Sequence, residues 1–293
     1  MEIIIFAPAS AIIGGSHAIR MAALAKIITN LRYKVTMFQE IESLRNYVTQ
    51  ISEKTLIILD VPEKFNHNLA FLSKINLVRI GYEYSGELEV EYNIVPFAFK
   101  SRQFSAKKTL FTGMKYLILR PEIKKRFSRS TEQKFDAVIS LGAGDTLDKA
   151  LEIRRKILSQ YQSLNVKIVL GEHSVYKGGH EAYVIKNPTN FYELLRSSSY
   201  LITNAGTTLV EAIYLQKKIL AWPQSDLELE FALYLNQSYE FEIIDGLEEC
   251  LNLSDIKRCK FQGVSSTTEL DIKGVQRVGK LIYDIIIDEM DTK

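Results

Sequence analysis

Short apolar runs that alternate with stretches of helical periodicity are the feature of this chain that most limits its fold. The first run, EIIIFAP at 2–8, predicts a strand buried on both faces, and from Ala18 onward apolar residues recur at helical spacing. Further strands are predicted over 34–38, 55–60, 77–82, 135–145 (with a glycine turn), 166–171, 182–185, 200–205 and 218–223. This alternation predicts an α/β fold with mostly parallel sheets and helices on both sides.

The length of the chain predicts two domains, because 293 residues exceed what one small core holds. The region from about 98 to 134 is less regular, and the alternation of strands and helices restarts at Phe135. We expect a Rossmann-like domain over 1–130 and a second over 131–293, with the last helical stretch, 271–290, packing back towards the first. Such domains bind ligands outside the carboxyl ends of their strands, so the expected site lies in the cleft between them.

Composition excludes several classes of protein. Apolar residues make up 46% and charged residues 25% of the chain, which is typical of a globular protein. The 37 basic and 35 acidic residues give a net charge of +2 without a block of like charge, so no nucleic-acid partner is expected. Cys250 and Cys259 have no cluster of metal-ligand residues around them, which predicts free thiols and a cytoplasmic protein without a metal site.

No segment reaches the run of about 18 apolar residues that a membrane-spanning helix needs, so no transmembrane segment is expected. The uncharged run over 3–15 lacks a basic stretch before it and contains Pro8. It is therefore interpreted as a strand and a loop instead of a signal peptide.

Three junctions where a strand leads through glycine into a helix are candidates for ligand binding: GGSHAIR at 14–20, LGAGDT at 141–146 and NAGTTLVE at 204–211. Glycine lets a ligand approach the backbone, and a helix N-terminus offers N–H groups and a positive dipole end to an anion. None of the three matches a Walker P-loop or the G-x-G-x-x-G pattern. A P-loop kinase and a nicotinamide enzyme are therefore both disfavoured.

The residues alone leave two interpretations open at the first and third junctions. In one interpretation of the first junction, Ser16 caps the helix and His17 has no chemical role. In the other, His17 is a base at the helix N-terminus, where the helix dipole favours the neutral imidazole. At the third, Thr208 and Glu211 form a capping box for their own helix, or they bind a ligand.

Four segments resemble, in order, motifs of the PseG/SpsG-type nucleotide-sugar hydrolases. The segment GGSHAIRMAALAKII, which begins at Gly14, is similar to the N-terminal motif G-x-G-H-x-x-R-x-x-x-L-A of that family. The segment LFTGMKYLILRPEI at 110–123 is similar to the linker motif of the family. SLGAGDTLDKAL at 140–151 stands where the family has a Gly-Gly-Ser-Asp turn. YLITNAGTTLVEAIYLQKKILAWP at 200–223 resembles its Gly-Gly-Ser/Thr-Thr-x-x-Glu segment and the strand that follows.

The resemblance implies a fold and an activity. The family has the GT-B architecture, in which two Rossmann-like domains with mostly parallel sheets face each other across a cleft, and it shares this architecture with glycosyltransferases. It removes UDP from a UDP-linked deoxyamino sugar, without a metal or other cofactor, on the way to pseudaminic acid and related sugars of surface polysaccharides. A small-molecule nucleotide sugar is thus the implied partner.

The same resemblance implies roles for individual residues. His17 matches the catalytic histidine, which would activate a water molecule for attack on the anomeric carbon. The implied substrate-binding residues are Gly14, Gly15, Ser16, Arg20, Tyr82, Gly142 and Asp145. The implied nucleotide-binding residues are Asn204, Gly206, Thr207, Thr208 and Glu211. Of these, Gly206, Thr207 and Thr208 would bind the diphosphate, and Glu211 would bind the ribose hydroxyls.

The chain departs from the family pattern mainly on the sugar side. Leu227 and Glu228 stand at about the place where the family carries an Asn-Gln pair that faces the sugar. Asp60, Tyr82 and Tyr84 only loosely match the acidic and tyrosine elements of the first domain. The nucleotide-binding half is therefore better supported than the half that binds the sugar.

These departures keep two alternative functions open. The first is a GT-B glycosyltransferase, in which His17 deprotonates an acceptor hydroxyl and aromatic residues such as Tyr92 and Phe97 either line an acceptor site or form core. The second is a catalytically inactive protein that only binds a nucleotide sugar.

Overall fold

The computed structural model describes residues 1–10, 14–51, 54–61, 65, 69–73, 75–81, 90–97, 106–120, 122–123, 133–142, 144, 146–176, 181–244, 270 and 272–291. The chain forms two compact units. The first consists of Met1–Ala9, Gly15–Pro121 and Asp271–Lys293, and the second of Ser10–Gly14 and Glu122–Leu270. The C-terminal helix thus belongs to the first unit, although the chain reaches it from the second.

The described strands are β1 (Glu2–Phe6), β2 (Lys34–Phe38), β3 (Thr55–Leu59), β4 (Asn76–Ile80), β5 (Tyr92–Val95), β6 (Thr109–Thr112), β7 (Phe135–Ser140), β8 (Val166–Leu170), β9 (Val184–Lys186), β10 (Ser198–Thr203), β11 (Lys218–Ala221) and β12 (Glu242–Ile243). The described α-helices are α1 (Ser16–Asn30), α2 (Ile41–Val48), α3 (Leu147–Gln160), α4 (Phe191–Arg196), α5 (Thr207–Tyr214), α6 (Asp226–Asn236) and α7 (Gly274–Asp291). Ala70–Leu72 and Met114–Tyr116 form short 3-10 turns.

The first unit contains a six-stranded sheet in the order β2-β1-β3-β4-β5-β6, and all of its strand pairings are parallel. β1 is buried on both faces, as its apolar run predicts. Ile3 and Ile5 pack in a cluster with α1 and α7, whereas Ile4 and Phe6 pack in a cluster with α2. After β1 the chain adds β2 on one side and then β3 on the other, so the strand order reverses at β1 and β3.

The second unit contains another six-stranded parallel sheet, in the order β12-β11-β10-β7-β8-β9. Here the chain builds β7, β8 and β9 outward in one direction and then returns to add β10 on the free side of β7. The strand order therefore reverses between β7 and β10. In open α/β sheets this reversal opens a crevice outside the carboxyl ends of the two strands, where ligands bind.

Helix α7 packs closely on α1 in the first unit. A Cβ atom placed on Gly279 would lie 2.5 Å from Cγ2 of Ile27, and one placed on Gly274 would lie 1.8 Å from the backbone oxygen of Leu117. Val278 of α7 is fully buried in the same cluster as the α1 side chains. Glycine is thus required at two positions of α7 because neighbouring atoms occupy the space that a side chain would need.

The parallel α/β architecture predicted from the alternating pattern is confirmed. The structure adds elements that the pattern did not predict, namely α2, β5, β6, α4, α6 and β12. Among the described residues, no helix combines the length and the apolar character needed to cross a lipid bilayer. Cys250 and Cys259 lie outside the described residues.

Candidate functional site

The reversal of strand order in the first unit brings together two residues that are distant in sequence. β1 and β3 are parallel neighbours, with Phe6 opposite Leu59 at their carboxyl ends. Asp60 follows β3 directly, and His17 is the second residue of α1, the helix that follows β1. Because both strands end at the same edge of the sheet, the two side chains meet there.

His17, Arg20 and Asp60 form a buried cluster at this edge. The Nδ1 atom of His17 lies 2.7 Å from Oδ1 of Asp60. Arg20 donates from Nε to Oδ2 of Asp60 and from Nη2 to Oδ1, both over 2.5 Å. His17 is 4%, Arg20 9% and Asp60 0% exposed. The guanidinium thus binds the carboxylate through two parallel hydrogen bonds, the strong geometry for such a pair.

The cluster keeps Asp60 ionised. Burial alone would raise the pKa of Asp60, but the Arg20 guanidinium and the His17 imidazole beside it outweigh burial and hold that pKa below its usual range. An ionised carboxylate only accepts hydrogen bonds, so we assign the ring proton of His17 to Nδ1. Nη2 of Arg20, 2.8 Å from Nδ1, then donates to Asp60 and not to the ring. The lone pair of the imidazole is left on Nε2, where it can accept a proton.

The backbone of Gly14, three residues before His17, is fixed by hydrogen bonds. Gly14 has a φ of +75°, and its backbone exchanges hydrogen bonds with Ser10 over 2.7 and 3.3 Å. Gly15 is the N-cap residue of α1 and no side chain caps the helix, so the interpretation of Ser16 as the cap is wrong. Ser16 is instead the first helical residue, directly before His17.

Three of the predicted residues meet at the reversal of strand order in the second unit. Gly142 follows β7 with a φ of +99°, and Asn204 follows β10. A Cβ atom on Gly142 would lie 3.5 Å from Nδ2 of Asn204, and one on Gly206 would lie 3.2 Å from the same atom. The amide of Asn204 therefore lies between two glycines, at the place where the fold forms a ligand crevice.

Glu228, which the motif comparison marked only as a departure, takes part in this site. Its Oε1 atom accepts a hydrogen bond from Nδ2 of Asn204, and its Oε2 atom accepts one from the backbone N–H of Gln224, each over 2.6 Å. Its own N–H donates to Oγ of Ser225, which caps α6. The pattern Ser-x-x-Glu at 225–228 predicts such a cap, and this is the signal that could have placed Glu228 here.

The capping-box interpretation of Thr208 and Glu211 is wrong. The N-cap residue of α5 is Gly206, no side chain caps this helix, and Thr208 is its second residue. Glu211, at the fifth position of α5, is fully buried, and Thr208 is 6% exposed. A capping side chain acts within the first turn of its helix. Because α5 already begins after Gly206, Glu211 lies beyond that turn.

The other predicted residues lie outside the described ranges or in the core. Tyr82, Tyr84 and Asp145 lie outside the described residues. Tyr92 and Phe97 are buried, at 6% and 2% exposure, which makes them core residues and not the lining of an acceptor site. Within the described ranges, no group of three or more His, Cys, Asp or Glu side chains is arranged to hold a metal ion.

No family model matches the chain. An uncharacterized protein of Methanocaldococcus jannaschii is 25% identical over 296 residues, a match that covers 90% of this chain. The chain spans 57% of the length of that relative.

Solved structures resemble the chain over nearly its whole length. A UDP-GlcNAc 2-epimerase of Methanocaldococcus jannaschii, in complex with UDP-GlcNAc and UDP, has a TM-score of 0.62 at 9% identity and covers 97% of this chain and 99% of its own. MurG of Acinetobacter baumannii has a TM-score of 0.57 at 12% identity, covering 97% and 100%. The glycotransferase of kitacinnamycin has a TM-score of 0.58 at 14% identity, covering 97% and 98%. The chain therefore has the GT-B fold predicted from its motifs.

Proposed function

We propose that this GT-B protein is an enzyme of nucleotide-sugar chemistry that hydrolyses a UDP-linked deoxyamino sugar to UDP and the free sugar. The observation that carries the proposal is the pairing of His17 with Asp60 over 2.7 Å at the carboxyl edge of the first sheet. A buried carboxylate that fixes the proton on Nδ1 makes Nε2 a general base, which is the group that hydrolysis requires.

In the proposed reaction, Nε2 of His17 takes a proton from a water molecule as the water oxygen attacks the anomeric carbon of the sugar. The bond between that carbon and the diphosphate oxygen breaks, and UDP leaves with the electron pair. Asp60 stabilises the imidazolium that forms, because its negative charge lies 2.7 Å from Nδ1. Arg20 holds Asp60 in position through its two hydrogen bonds. The proton then returns from His17 to solvent.

We assign nucleotide binding to the second unit. The N-terminus of α5 offers N–H groups that no side chain caps, at Gly206 and Thr207, and such groups stabilise a leaving diphosphate. The similar epimerase structure contains UDP and UDP-GlcNAc, and this supports UDP as the nucleotide. In this proposal Thr208 lies at the diphosphate and Glu211 at the ribose. We assign sugar binding to Gly14, Gly15, Ser16 and Arg20.

Transfer of the sugar to an acceptor is the second candidate, and the similarity to a glycotransferase structure favours it. His17 would then deprotonate an acceptor hydroxyl in place of water. The two reactions are separated by measuring UDP release from a panel of UDP-sugars with no acceptor present. Release at an enzymatic rate supports hydrolysis, whereas slow release that an added alcohol or lipid accelerates supports transfer.

The variant His17→Ala tests the base in either reaction. We expect turnover to fall by about 10²–10⁴-fold, the usual contribution of a general base. UDP affinity, measured by calorimetry, should stay unchanged because nucleotide binding is assigned to other residues. His173→Ala is the matched control, since it removes a partly exposed imidazole of the second unit to which no role is assigned. Equal loss of activity in both variants, or none in His17→Ala, would refute the role of His17.

A further inference from the structure

Arg20 lies against both members of the His17–Asp60 pair. Its Nη2 atom lies 2.8 Å from Nδ1 of His17 and 2.5 Å from Oδ1 of Asp60. Oδ1 of Asp60 in turn lies 2.7 Å from Nδ1. The guanidinium and the imidazole therefore meet at one carboxylate oxygen, and Arg20 is in contact with the ring itself as well as with the carboxylate that orients it.

The groups around the ring act on its protonation in opposite directions. The ionised carboxylate of Asp60 favours the imidazolium form of His17. Arg20 favours neutral imidazole, because a guanidinium stays charged in proteins and a positive charge beside the ring disfavours a second one. Burial of His17, which is 4% exposed, and its place in the first turn of α1 act in the same direction as Arg20.

The neighbouring elements do not oppose the effect of Arg20. α7, which packs on α1, begins after Lys273 and carries Arg277 in its first turn, and both residues are basic. Arg277 donates to the backbone oxygen of Lys115. From β4, the residue that approaches Asp60 is Gly81, where a Cβ atom would lie 3.6 Å from Oδ1, and glycine brings no charge.

We propose that Arg20 keeps His17 neutral at neutral pH and so sets the pH range in which His17 can act as a base. The inference rests on the proposed function, in which Nε2 of His17 accepts a proton and must therefore start without one. Arg20 acts through His17 and is in this respect a positioning residue, in addition to the sugar binding that the proposed function assigns to it. Without Arg20, the carboxylate would have the imidazolium as its neighbouring cation, and the His17–Asp60 pair would take up a proton at higher pH.

The titration of the four histidine rings, followed by NMR of protein labelled with ¹³C in histidine, tests this without a substrate. The signal of His17 is the one that is missing in His17→Ala. Arg20→Gln removes the charge, whereas Arg20→Lys keeps it, and both variants lose the planar fork that binds Asp60 through two hydrogen bonds. The two variants therefore separate the charge of Arg20 from its geometry.

We expect the midpoint of the His17 titration to rise by at least about one pH unit in Arg20→Gln, which is a tenfold change in the protonation equilibrium. In Arg20→Lys the midpoint should stay close to that of the wild-type protein. His173 lies in the second unit and should titrate alike in all three proteins, which makes it the internal control.

The pH dependence of kcat/KM for UDP release should move with the ring. Arg20→Gln should lose activity at about pH 7 and regain part of it above about pH 8, where the ring is neutral again. If Arg20 acted in sugar binding alone, its loss would raise KM at every pH and leave the titration of His17 unchanged.

The inference is overturned if the wild-type His17 ring is charged at about pH 7, a result that needs no variant. It is also overturned if the midpoint is the same in Arg20→Gln as in the wild-type protein, or if Arg20→Gln and Arg20→Lys titrate alike. Absence of UDP release from any UDP-sugar would refute the proposed hydrolysis, while the titration would still decide whether Arg20 controls the ring.

Discussion

Asp60 takes part in three hydrogen-bond contacts although its side chain is completely buried. Its negative charge is balanced by Arg20, and its position fixes the tautomer of His17. We expect Asp60→Asn to lower turnover by about 10²-fold or more, because an amide can present its NH₂ group to Nδ1 and so reverse the ring tautomer. UDP affinity should not change. A variant with wild-type turnover would show that His17 does not need Asp60 as its partner.

The same substitution has a signature in stability. The pKa of Asp60 lies below its ordinary value of 3.8, so its ionised form stabilises the fold above about pH 4, and this contribution is lost as the pH falls through the lowered pKa. Asp60→Asn should therefore lower the free energy of unfolding by about 3 kcal/mol at neutral pH, since it leaves Arg20 buried without its carboxylate. The difference between the two proteins, measured by urea unfolding, should shrink below pH 4.

At the residue scale, the sequence predicted His17 and the glycines, and it named Asp60 and Glu228 without predicting which side chains they bind. His17 stands in a local motif, so its position could be found from neighbouring residues. Asp60 and Glu228 join the site through strand order, because the loops after β1 and β3, and after β10 and β11, end at common edges. That order depends on long-range pairing, which no local pattern contains.

Among the elements, α1 and α7 depend on a glycine for their close packing. In Gly279→Ala the added Cβ would lie 2.5 Å from Cγ2 of Ile27, a branched side chain that cannot turn this atom away cheaply. We expect the free energy of unfolding to fall by about 1–3 kcal/mol despite the better helix propensity of alanine. The measurement is urea unfolding followed by circular dichroism.

A double-mutant cycle separates this contact from other effects of alanine in a helix. Ile27→Ala removes the atom that would clash, so the double variant should be more stable than the sum of the two single effects predicts. Additive effects would show that Gly279 does not contact Ile27 in solution. Lys280→Ala, on an exposed position of the same helix, provides the control for helix propensity.

Several of the strands that the sequence predicted carry a continuous apolar run, because burial on both faces of a parallel sheet requires such a run. β1 and β3 are examples, with burial over nearly every residue. β6 was not predicted, and three of its four residues are exposed. It lies at the edge of the first sheet, where one neighbouring strand is missing and polar residues are tolerated.

At the scale of the whole molecule, Glu289 fixes α7 to the sheet of the first unit. It is 5% exposed and accepts hydrogen bonds from the Asn76 amide and the Tyr92 hydroxyl, each over 3.0 Å, and from the ammonium group of Lys108. These partners come from β4, from β5 and from the residue just before β6. One carboxylate thus connects the C-terminal helix to the amino ends of three strands.

Glu289→Gln should lower the free energy of unfolding by about 1–2 kcal/mol. It removes charge-assisted hydrogen bonds, while solvent screens part of the interaction because Lys108 is 47% exposed. Asp284→Asn, which breaks the exposed pair with Lys280 on the same helix, is the control and should change stability by less than about 0.5 kcal/mol. If both variants behave alike in thermal and urea unfolding, Glu289 does not anchor the helix.

The course of the chain also determines when each unit can become complete on the ribosome. α7 covers the face of the first sheet on which α1 lies, yet it is synthesised after all of Glu122–Leu270. Until α7 has been synthesised, it cannot cover the apolar α1 side chains of its cluster, such as Met21 and Leu24. The second unit has all of its segments earlier. We infer that the unit synthesised second is the first to finish folding, and that the N-terminal strands reach their final state last.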